Sequence, residues 1–186
     1  MEIKYSRDID KNIIQDLIDI ESMVYEKKYC GTYPTIEARY KKNNDTFVLA
    51  YDEGRMVGYL CFLPISDSLY RDIVETDQFH DDDISPEDVI QFHNHVNLYL
   101  VSIAILPSYQ NTAVIVEMTK AFFRFLKEKR EQNICVSNIL ASAVTEDGVK
   151  FLQRLGFQKL KTVDEQYSLF ILNYDEEWTR FEKYTG

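Results

Sequence analysis

The feature that most constrains the fold is an apolar run, Val96–Leu106, followed after a short turn by a long amphipathic segment, Asn111–Arg130. The run is continuous rather than alternating, which is typical of a strand buried on both faces. In the segment after the turn, apolar residues recur three and four positions apart on one face and charged residues on the other. The pattern therefore predicts a buried strand, a tight turn and a helix packed on a sheet.

The rest of the chain alternates between strand and helix patterns, with no repeat or long linker, so we expect one domain over residues 1–186. Its class is mixed α and β, one sheet with helices packed on it. Residues 52–55 join two strands as a hairpin in which Gly54 is free to take a positive φ. The predicted strands are Glu2–Ser6, Thr46–Tyr51, Met56–Pro64, Ile134–Ala143 and Tyr167–Tyr174, and the predicted helices are Lys11–Tyr25, a short one capped by Thr35, and Glu146–Leu155.

Residues 65–95 depart from this alternation. They hold many acidic residues and few apolar ones, and Ser85–Asp88 has the composition of a helix start: a serine cap, a proline and two acids. We interpret the segment as an acidic excursion from the core. A long acidic connection of this kind is more often functional than not, and a solvated cover is the alternative.

Charge and composition exclude several classes of function. The 186 residues carry a formal net charge of −10 at pH 7, which argues against sequence-independent binding to nucleic acid and favours cationic partners such as amines. The apolar runs are too short to cross a bilayer, and the first residues do not resemble a secretory signal. Three widely spaced cysteines predict reduced thiols, so we expect a cytoplasmic protein without a membrane partner.

Two stretches resemble motifs of one family. SIAILPSYQNTAVIVEMTKAF resembles the fourth strand, pyrophosphate loop and following helix of the GNAT superfamily of acetyl-CoA-dependent N-acyltransferases. ILASAVTEDGVKFLQRLGFQKL resembles the family's fifth strand and the helix that ends in leucine, glycine and phenylalanine. With the order of elements, the resemblance covers nearly the whole chain. It implies a GNAT-like fold, a central and largely antiparallel sheet with a splayed fourth and fifth strand and helices on both faces. It also implies acetyl-CoA as co-substrate and no metal.

The resemblance places a cofactor site along the fourth strand and the loop after it. The family's Q/R-x-x-G-x-G/A loop falls on residues 110–115, where N–H groups at a helix N-terminus would converge on the pyrophosphate. Ala113 and Ile115 stand where the family has glycine or another small residue, while Asn111 can adopt a left-handed conformation and Thr112 can cap the helix. The predicted cofactor-binding residues are Ile103, Ala104, Ile105, Gln110, Asn111, Thr112, Ala113, Val114, Ile115 and Thr145.

The same resemblance puts the usual catalytic groups in question. A tyrosine that protonates the departing thiolate in many members is replaced here by Leu152. The position of the family's base on the fourth strand falls on Tyr99, our predicted catalytic residue. With an ordinary pKa near 10, tyrosine is a poor base, so it would relay a proton through water or form an aromatic wall. One histidine is expected near the substrate mouth, among His80, His93 and His95.

Two functions remain open from the sequence. The first is an acetyltransferase that moves an acetyl group from acetyl-CoA to a primary amine of a small-molecule or peptide acceptor, which could be cationic. The second is a degenerate, non-catalytic domain of the same fold that binds a ligand or a partner protein. An aromatic acceptor pocket is expected at Tyr25, Tyr29, Tyr33 and Tyr40, and the C-terminal residues Trp178 and Phe181 could form a homodimer contact or pack on their own sheet.

Overall fold

The computed structural model describes residues 1–76, 79–163 and 167–185. Within those ranges the strands form a seven-stranded sheet in the order β1-β2-β3-β4-β5-β7-β6, and helices cover it. The strands are β1 Glu2–Tyr5, β2 Phe47–Asp52, β3 Arg55–Ile65, β4 His95–Ile105, β5 Cys135–Ala143, β6 Gln158–Val163 and β7 Tyr167–Leu172. The helices are α1 Ile14–Val24, α2 Tyr33–Lys42, α3 Asp67–Glu75, α4 Val114–Glu131, α5 Glu146–Leu155 and the short α6 Tyr174–Glu177.

The sheet is mixed, as predicted. Every neighbouring pair in it is antiparallel except β4 and β5, which run parallel because α4 crosses over between them. The two faces of β3 carry different helices. The Tyr59 hydroxyl donates to Glu21 of α1, while Phe62 packs against Phe122 of α4 with ring centroids 5.0 Å apart. The predicted fold, with helices on both faces of a mostly antiparallel sheet, is confirmed.

A β-bulge in the middle of β4 sets which side chains face which helix. Cys61 pairs with Ser102 and the next residue, Phe62, pairs with Leu100, so Val101 is an extra residue in β4. Since paired residues share a face of the sheet, Ser102 lies on the α1 face, like Tyr99 before the bulge. Residues 103 and 105 lie on the α4 face.

The pairing between β4 and β5 ends beyond the midpoints of the two strands. Their last pair is Leu100 with Ala141, yet β4 continues to Ile105 and β5 to Ala143. β4 stays bound to β3 over its whole second half, and β5 stays bound to β7. The two strands therefore form a fork that opens toward the N-terminus of α4, as the predicted splayed pair requires.

The acidic excursion contains a helix that the sequence reading missed. α3 begins after Ser66, whose side chain accepts from the Leu69 N–H at 3.2 Å, and it buries Leu69 and Ile73. Two 3-10 turns follow, 81–83 and 86–88, so the predicted helix start at Ser85 produces a single turn only. The excursion is packed on the core, because Phe79, Ile84 and Val89 are also buried.

The cap of α2, the start of α4 and the strand β6 also differ from the prediction. The cap of α2 is Thr32, which accepts from the Thr35 N–H at 3.4 Å, rather than Thr35 itself. α4 begins at Val114 rather than at residue 111, because Asn111 takes a left-handed conformation with φ of 62°. β6 was not predicted: it is an exposed strand of mostly polar residues, which carries little hydrophobic signal.

The C-terminal segment packs on its own chain. The Phe181 ring is buried and stacks on Phe123 of α4, with centroids 4.3 Å apart, and Tyr184 stacks on the same ring at 5.3 Å. The Trp178 ring lies under the guanidinium of Arg130 at 4.4 Å. The apolar residues that could have formed a homodimer contact are thus used within the chain, and the homodimer stays a prediction.

Replacing Phe181 tests how much this segment contributes to stability. We expect Phe181→Ala to lower the free energy of unfolding by about 3 kcal/mol, because a buried stacked ring is removed and a cavity remains. Urea unfolding measures the change. Val116→Ala, at a position that is 49% exposed on α4, the helix that Phe181 packs against, is the control and should stay within about 0.5 kcal/mol. A loss below about 1 kcal/mol for Phe181→Ala would contradict the packing described.

Candidate active site

The fork between β4 and β5 opens into a cleft of about 990 Å³. Its walls come from both halves of the fork, from α1 and α2 on one side, and from the start of α4 and the exposed face of α5 on the other. Because the strands separate, backbone groups of β4 and β5 that a continuous sheet would pair with each other are left without that partner. The cleft therefore runs through the sheet from the α4 end to the α1 face.

One end of the cleft is an arrangement of backbone N–H groups. In residues 1–76, 79–163 and 167–185, the N–H groups of Asn111 and Ile115, which line the cleft, make no hydrogen bond, and neither do those of Ala113 and Val116 beside it. Thr112 fixes this turn: its hydroxyl donates to the Tyr109 carbonyl at 2.6 Å and lies 3.4 Å from the Val114 N–H. Unpaired amides at a helix N-terminus favour an anion such as a phosphate.

The predicted cofactor-binding residues are distributed around this end. Six of the ten line the cleft, namely Ile103, Ile105, Gln110, Asn111, Ile115 and Thr145. The Gln110 side chain donates to the Ile105 carbonyl at 3.1 Å, and Thr145 caps α5 by accepting from the Gly148 N–H at 3.0 Å. Val114 and Ala104 are buried in the core, and Thr112 and Ala113 are exposed beside the cleft. Their binding role stays a prediction.

The other end of the cleft holds a buried carboxylate that the sequence reading missed. Glu21 of α1 is 7% exposed, accepts from the Tyr59 hydroxyl at 2.5 Å and from the Gly31 N–H at 2.8 Å, and lines the cleft. Burial raises the pKa of Glu21, and these two hydrogen bonds oppose the rise. The Tyr59 hydroxyl also lies 3.2 Å from the Ser102 hydroxyl. A carboxylate placed this way can bind an ammonium group and take up a proton from it.

A second carboxylate, Asp81, is half-buried and lies beside Tyr99. The Tyr99 side chain is fully buried; its hydroxyl donates to Asp81 and lies 2.5 Å from the Ser142 hydroxyl. Burial and the neighbouring Asp81 raise the pKa of Tyr99 well above its usual value, so Tyr99 is no free base. Burial raises the pKa of Asp81 to about 6, while the bond from Tyr99 and the charge of Arg39 act in the opposite direction. Asp81 and Ser142 line the cleft. The Tyr99 hydroxyl, which is not part of the cleft wall, lies within hydrogen-bonding distance of both.

Arg39 holds the segment that carries Asp81. The residue is 9% exposed, and its guanidinium donates to the Ile84 carbonyl at 2.7 and 2.9 Å and to the Asp81 carbonyl at 2.8 Å. Three charge-assisted bonds of this kind fix a short turn against α2. The position of Asp81 in the cleft therefore depends on α2 and not on the acidic segment alone.

Aromatic side chains line the half of the cleft that α1 and α2 form. Tyr25, Tyr29 and Tyr40 lie in the wall, while Tyr33 lies outside it and accepts from the Asn12 side chain at 2.6 Å. The Tyr25 hydroxyl donates to the Ile103 carbonyl at 2.6 Å, which joins α1 to the open half of β4. Of the histidines, His80 lines the cleft, with its ring edge-on to Tyr167 at 5.8 Å. Within the described part of the chain, no three His, Cys, Asp or Glu side chains form a group that could hold a metal ion.

The raised pKa of Asp81 predicts a specific pH dependence of stability. A carboxyl group whose folded pKa is about 6, against 3.8, stabilises the fold fully below pH 3.8, and this contribution is lost as the pH rises through 6. We expect the free energy of unfolding of Asp81→Asn, relative to the parent, to rise by roughly 2 kcal/mol between pH 4 and pH 7. Chemical denaturation across this range measures it. The exposed Asp72, changed to Asn, is the control. If the free energies of unfolding of the parent and of Asp81→Asn changed with pH in parallel, the raised pKa of Asp81 would be contradicted.

Comparisons with known proteins agree with this geometry. The family model described as the acetyltransferase (GNAT) family matches residues 14–157. No curated protein matches the sequence. Across the described part of the chain, no helix is long and apolar enough to span a membrane.

Three solved structures share the fold at low sequence identity. The loading GNATL domain of CurA from Lyngbya majuscula has a TM-score of 0.70 and 14% identity, with 94% of this chain and 98% of that chain covered. The GphF GNAT-like decarboxylase in complex with isobutyryl-CoA has a TM-score of 0.68 and 12% identity, with 93% and 99% covered. Arabidopsis thaliana Naa50 in complex with the bisubstrate analogue CoA-Ac-MVNAL has a TM-score of 0.57 and 12% identity, with 92% and 97% covered.

The forked sheet, the amide-lined turn before α4 and the match to the family model over residues 14–157 lead to one conclusion. The chain belongs to the GNAT acetyltransferase family.

Proposed function

We propose that this protein transfers the acetyl group of acetyl-CoA to a primary amine, with Glu21 as the group that binds the amine and accepts its proton. The observation that carries the proposal is the cleft itself. It joins unpaired backbone amides at one end to a buried carboxylate at the other, through an opening in the sheet.

The α4 end of the cleft suits the phosphates of a CoA thioester. The N–H groups of residues 113, 115 and 116 and the helix dipole favour a pyrophosphate without needing a glycine. The bulk of Ile115 is directed along the cleft wall, where it packs partly against the core. Two solved structures of the same fold are complexes with CoA derivatives, isobutyryl-CoA and CoA-Ac-MVNAL, which supports this assignment.

The α1 end suits a protonated amine. Amines carry a proton at neutral pH, and the nitrogen attacks the thioester carbonyl only after the proton leaves. Glu21 is close to the wall residues Tyr25 and Tyr59, so an ammonium would meet a carboxylate among aromatic faces. Asp82 adds negative charge to the same half of the cleft and favours a cationic acceptor.

The three cysteines are free thiols, which supports a reducing compartment and the predicted cytoplasmic location.

The alternative, a non-catalytic member of the family, is favoured by Leu152. Its side chain is 3% exposed and supplies no hydroxyl at the cleft wall where many members have a tyrosine. A direct assay of acetyl transfer separates the two.

The assay measures release of free CoA thiol from acetyl-CoA in the presence of primary amines, including diamines and lysine-containing peptides. We expect amine-dependent release, and we expect Glu21→Gln to lower kcat/KM by roughly 100-fold, because the proton acceptor is lost while the shape of the side chain is kept. The exposed Glu26, changed to Gln, is the matched control and should leave the rate unchanged.

Binding of the cofactor is followed separately by thermal denaturation. Acetyl-CoA at 100 times its dissociation constant should add about 2.7 kcal/mol to stability, in the parent and in Glu21→Gln alike. Binding without thiol release for any amine would favour the non-catalytic alternative. Equal rates for Glu21→Gln and the parent would remove Glu21 from the proposal.

A further inference from the structure

Acetyl transfer leaves a thiolate, and the described wall of the cleft offers it no tyrosine at the position of Leu152. Ser142, on β5, lies in another part of that wall. It is the first β5 residue beyond Ala141, the last residue of β5 that pairs with β4, and its side chain lines the cleft at the base of the fork. A hydroxyl at this point is placed where the open halves of β4 and β5 diverge.

Ser142 is connected to a proton source. The Tyr99 hydroxyl lies 2.5 Å from the Ser142 hydroxyl and also within hydrogen-bonding distance of Asp81. The Tyr99 ring is fully buried and packs edge-on against Phe79 with centroids 5.6 Å apart, so its hydroxyl is fixed. Ser142, Tyr99 and Asp81 therefore form a hydrogen-bonded chain from β5 through β4 to the segment held by Arg39.

The far end of this hydrogen-bonded chain can exchange protons with the cleft. Asp81 itself lines the cleft, so a proton lost from it can be replaced from solvent or substrate. Arg39, His80 and Asp82 are the charged or titratable groups that act on Asp81, and Tyr99 is its hydrogen-bond partner. Protonation of Asp81 reverses the donor and acceptor roles in these hydrogen bonds. Asp81 then donates to Tyr99, and Tyr99 donates to Ser142.

We propose that Ser142 protonates the leaving thiolate and that Tyr99 and Asp81 resupply its proton. This inference rests on the proposed function. As the C–N bond forms and the C–S bond breaks, the electron pair of the C–S bond goes to sulfur. Sulfur takes the Ser142 proton, Ser142 takes the Tyr99 proton and Tyr99 takes the Asp81 proton. Asp81 then regains a proton from the cleft, and the amine nitrogen gives its two protons to Glu21 and to solvent.

The arrangement divides the two proton transfers between separate groups. Glu21 acts with Tyr59 and Ser102 on the β3 side of β4, whereas Asp81 acts with Tyr99 and Ser142 on the β5 side. A raised pKa lets Asp81 carry a proton near neutrality. Tyr99, the catalytic residue predicted from the sequence, thus acts through Ser142 as a positioning residue and not as the base.

The test compares Ser142→Ala, Tyr99→Phe and the double variant with the parent, using acetyl-CoA and an amine accepted by the parent. We expect each single change to lower kcat by about 10- to 100-fold with unchanged binding of acetyl-CoA. We expect the double variant to be no slower than either single one, because the groups act as one unit. Ser142→Thr, which keeps a hydroxyl, should stay within about threefold of the parent.

A second donor separates proton transfer from structural damage. With an acetyl thioester of an acidic aryl thiol, whose thiolate leaves without a proton, Ser142→Ala should lose less than about threefold. Ser137→Ala, on the same strand and outside the cleft, is the matched control. Multiplying losses in the double variant, equal losses with both donors, or parent-like rates for Ser142→Ala would overturn the relay while acetyl transfer itself still stood. A parent protein that transfers acetyl to no amine would overturn both.

Discussion

The separation of β4 from β5 is the constraint on which the rest of the site depends. Pairing stops at Leu100 and Ala141, and each strand keeps its outer neighbour, so the sheet holds together while its centre opens. The bulge at Val101 lies one residue past the last pair and resets the faces of β4. Ser102 therefore faces α1, while Ile103 and Ile105 face the α4 side, where we propose that the cofactor binds.

Placing one buried and one half-buried carboxylate beside this opening costs stability, and the surrounding hydrogen bonds offset part of that cost. Glu21 receives bonds from Tyr59 and Gly31, and Asp81 receives one from Tyr99 while Arg39 fixes its backbone. A fold selected for stability alone would fill the space with apolar side chains. Carboxylates kept at such positions, on the walls of a cleft, are what proton transfer requires.

The sequence predicted those parts of the fold that are set locally. The periodicity of residues 96–130 predicted β4 and α4, and residue type predicted the positive φ at Gly54 and at Asn111. It did not predict β6, whose pattern is that of an exposed edge, or the roles we propose for Glu21, Asp81 and Ser142. A single acid on an amphipathic helix reads as a surface residue, and these groups meet only through contacts between residues far apart in the chain. The family loop without glycines pointed to the α4 end of the cleft, and Tyr25, Tyr29 and Tyr40 pointed to its other end.

The central claim is that a CoA thioester lies through the fork, with its pyrophosphate at the start of α4 and its sulfur at the base of the opening. The most direct measurement is a crystal structure of the protein with CoA bound. The account predicts pyrophosphate oxygens within hydrogen-bonding distance of the N–H groups of residues 113, 115 or 116, and the sulfur within about 4 Å of the Ser142 hydroxyl. A pyrophosphate bound away from α4, or a sulfur outside the fork, would contradict it.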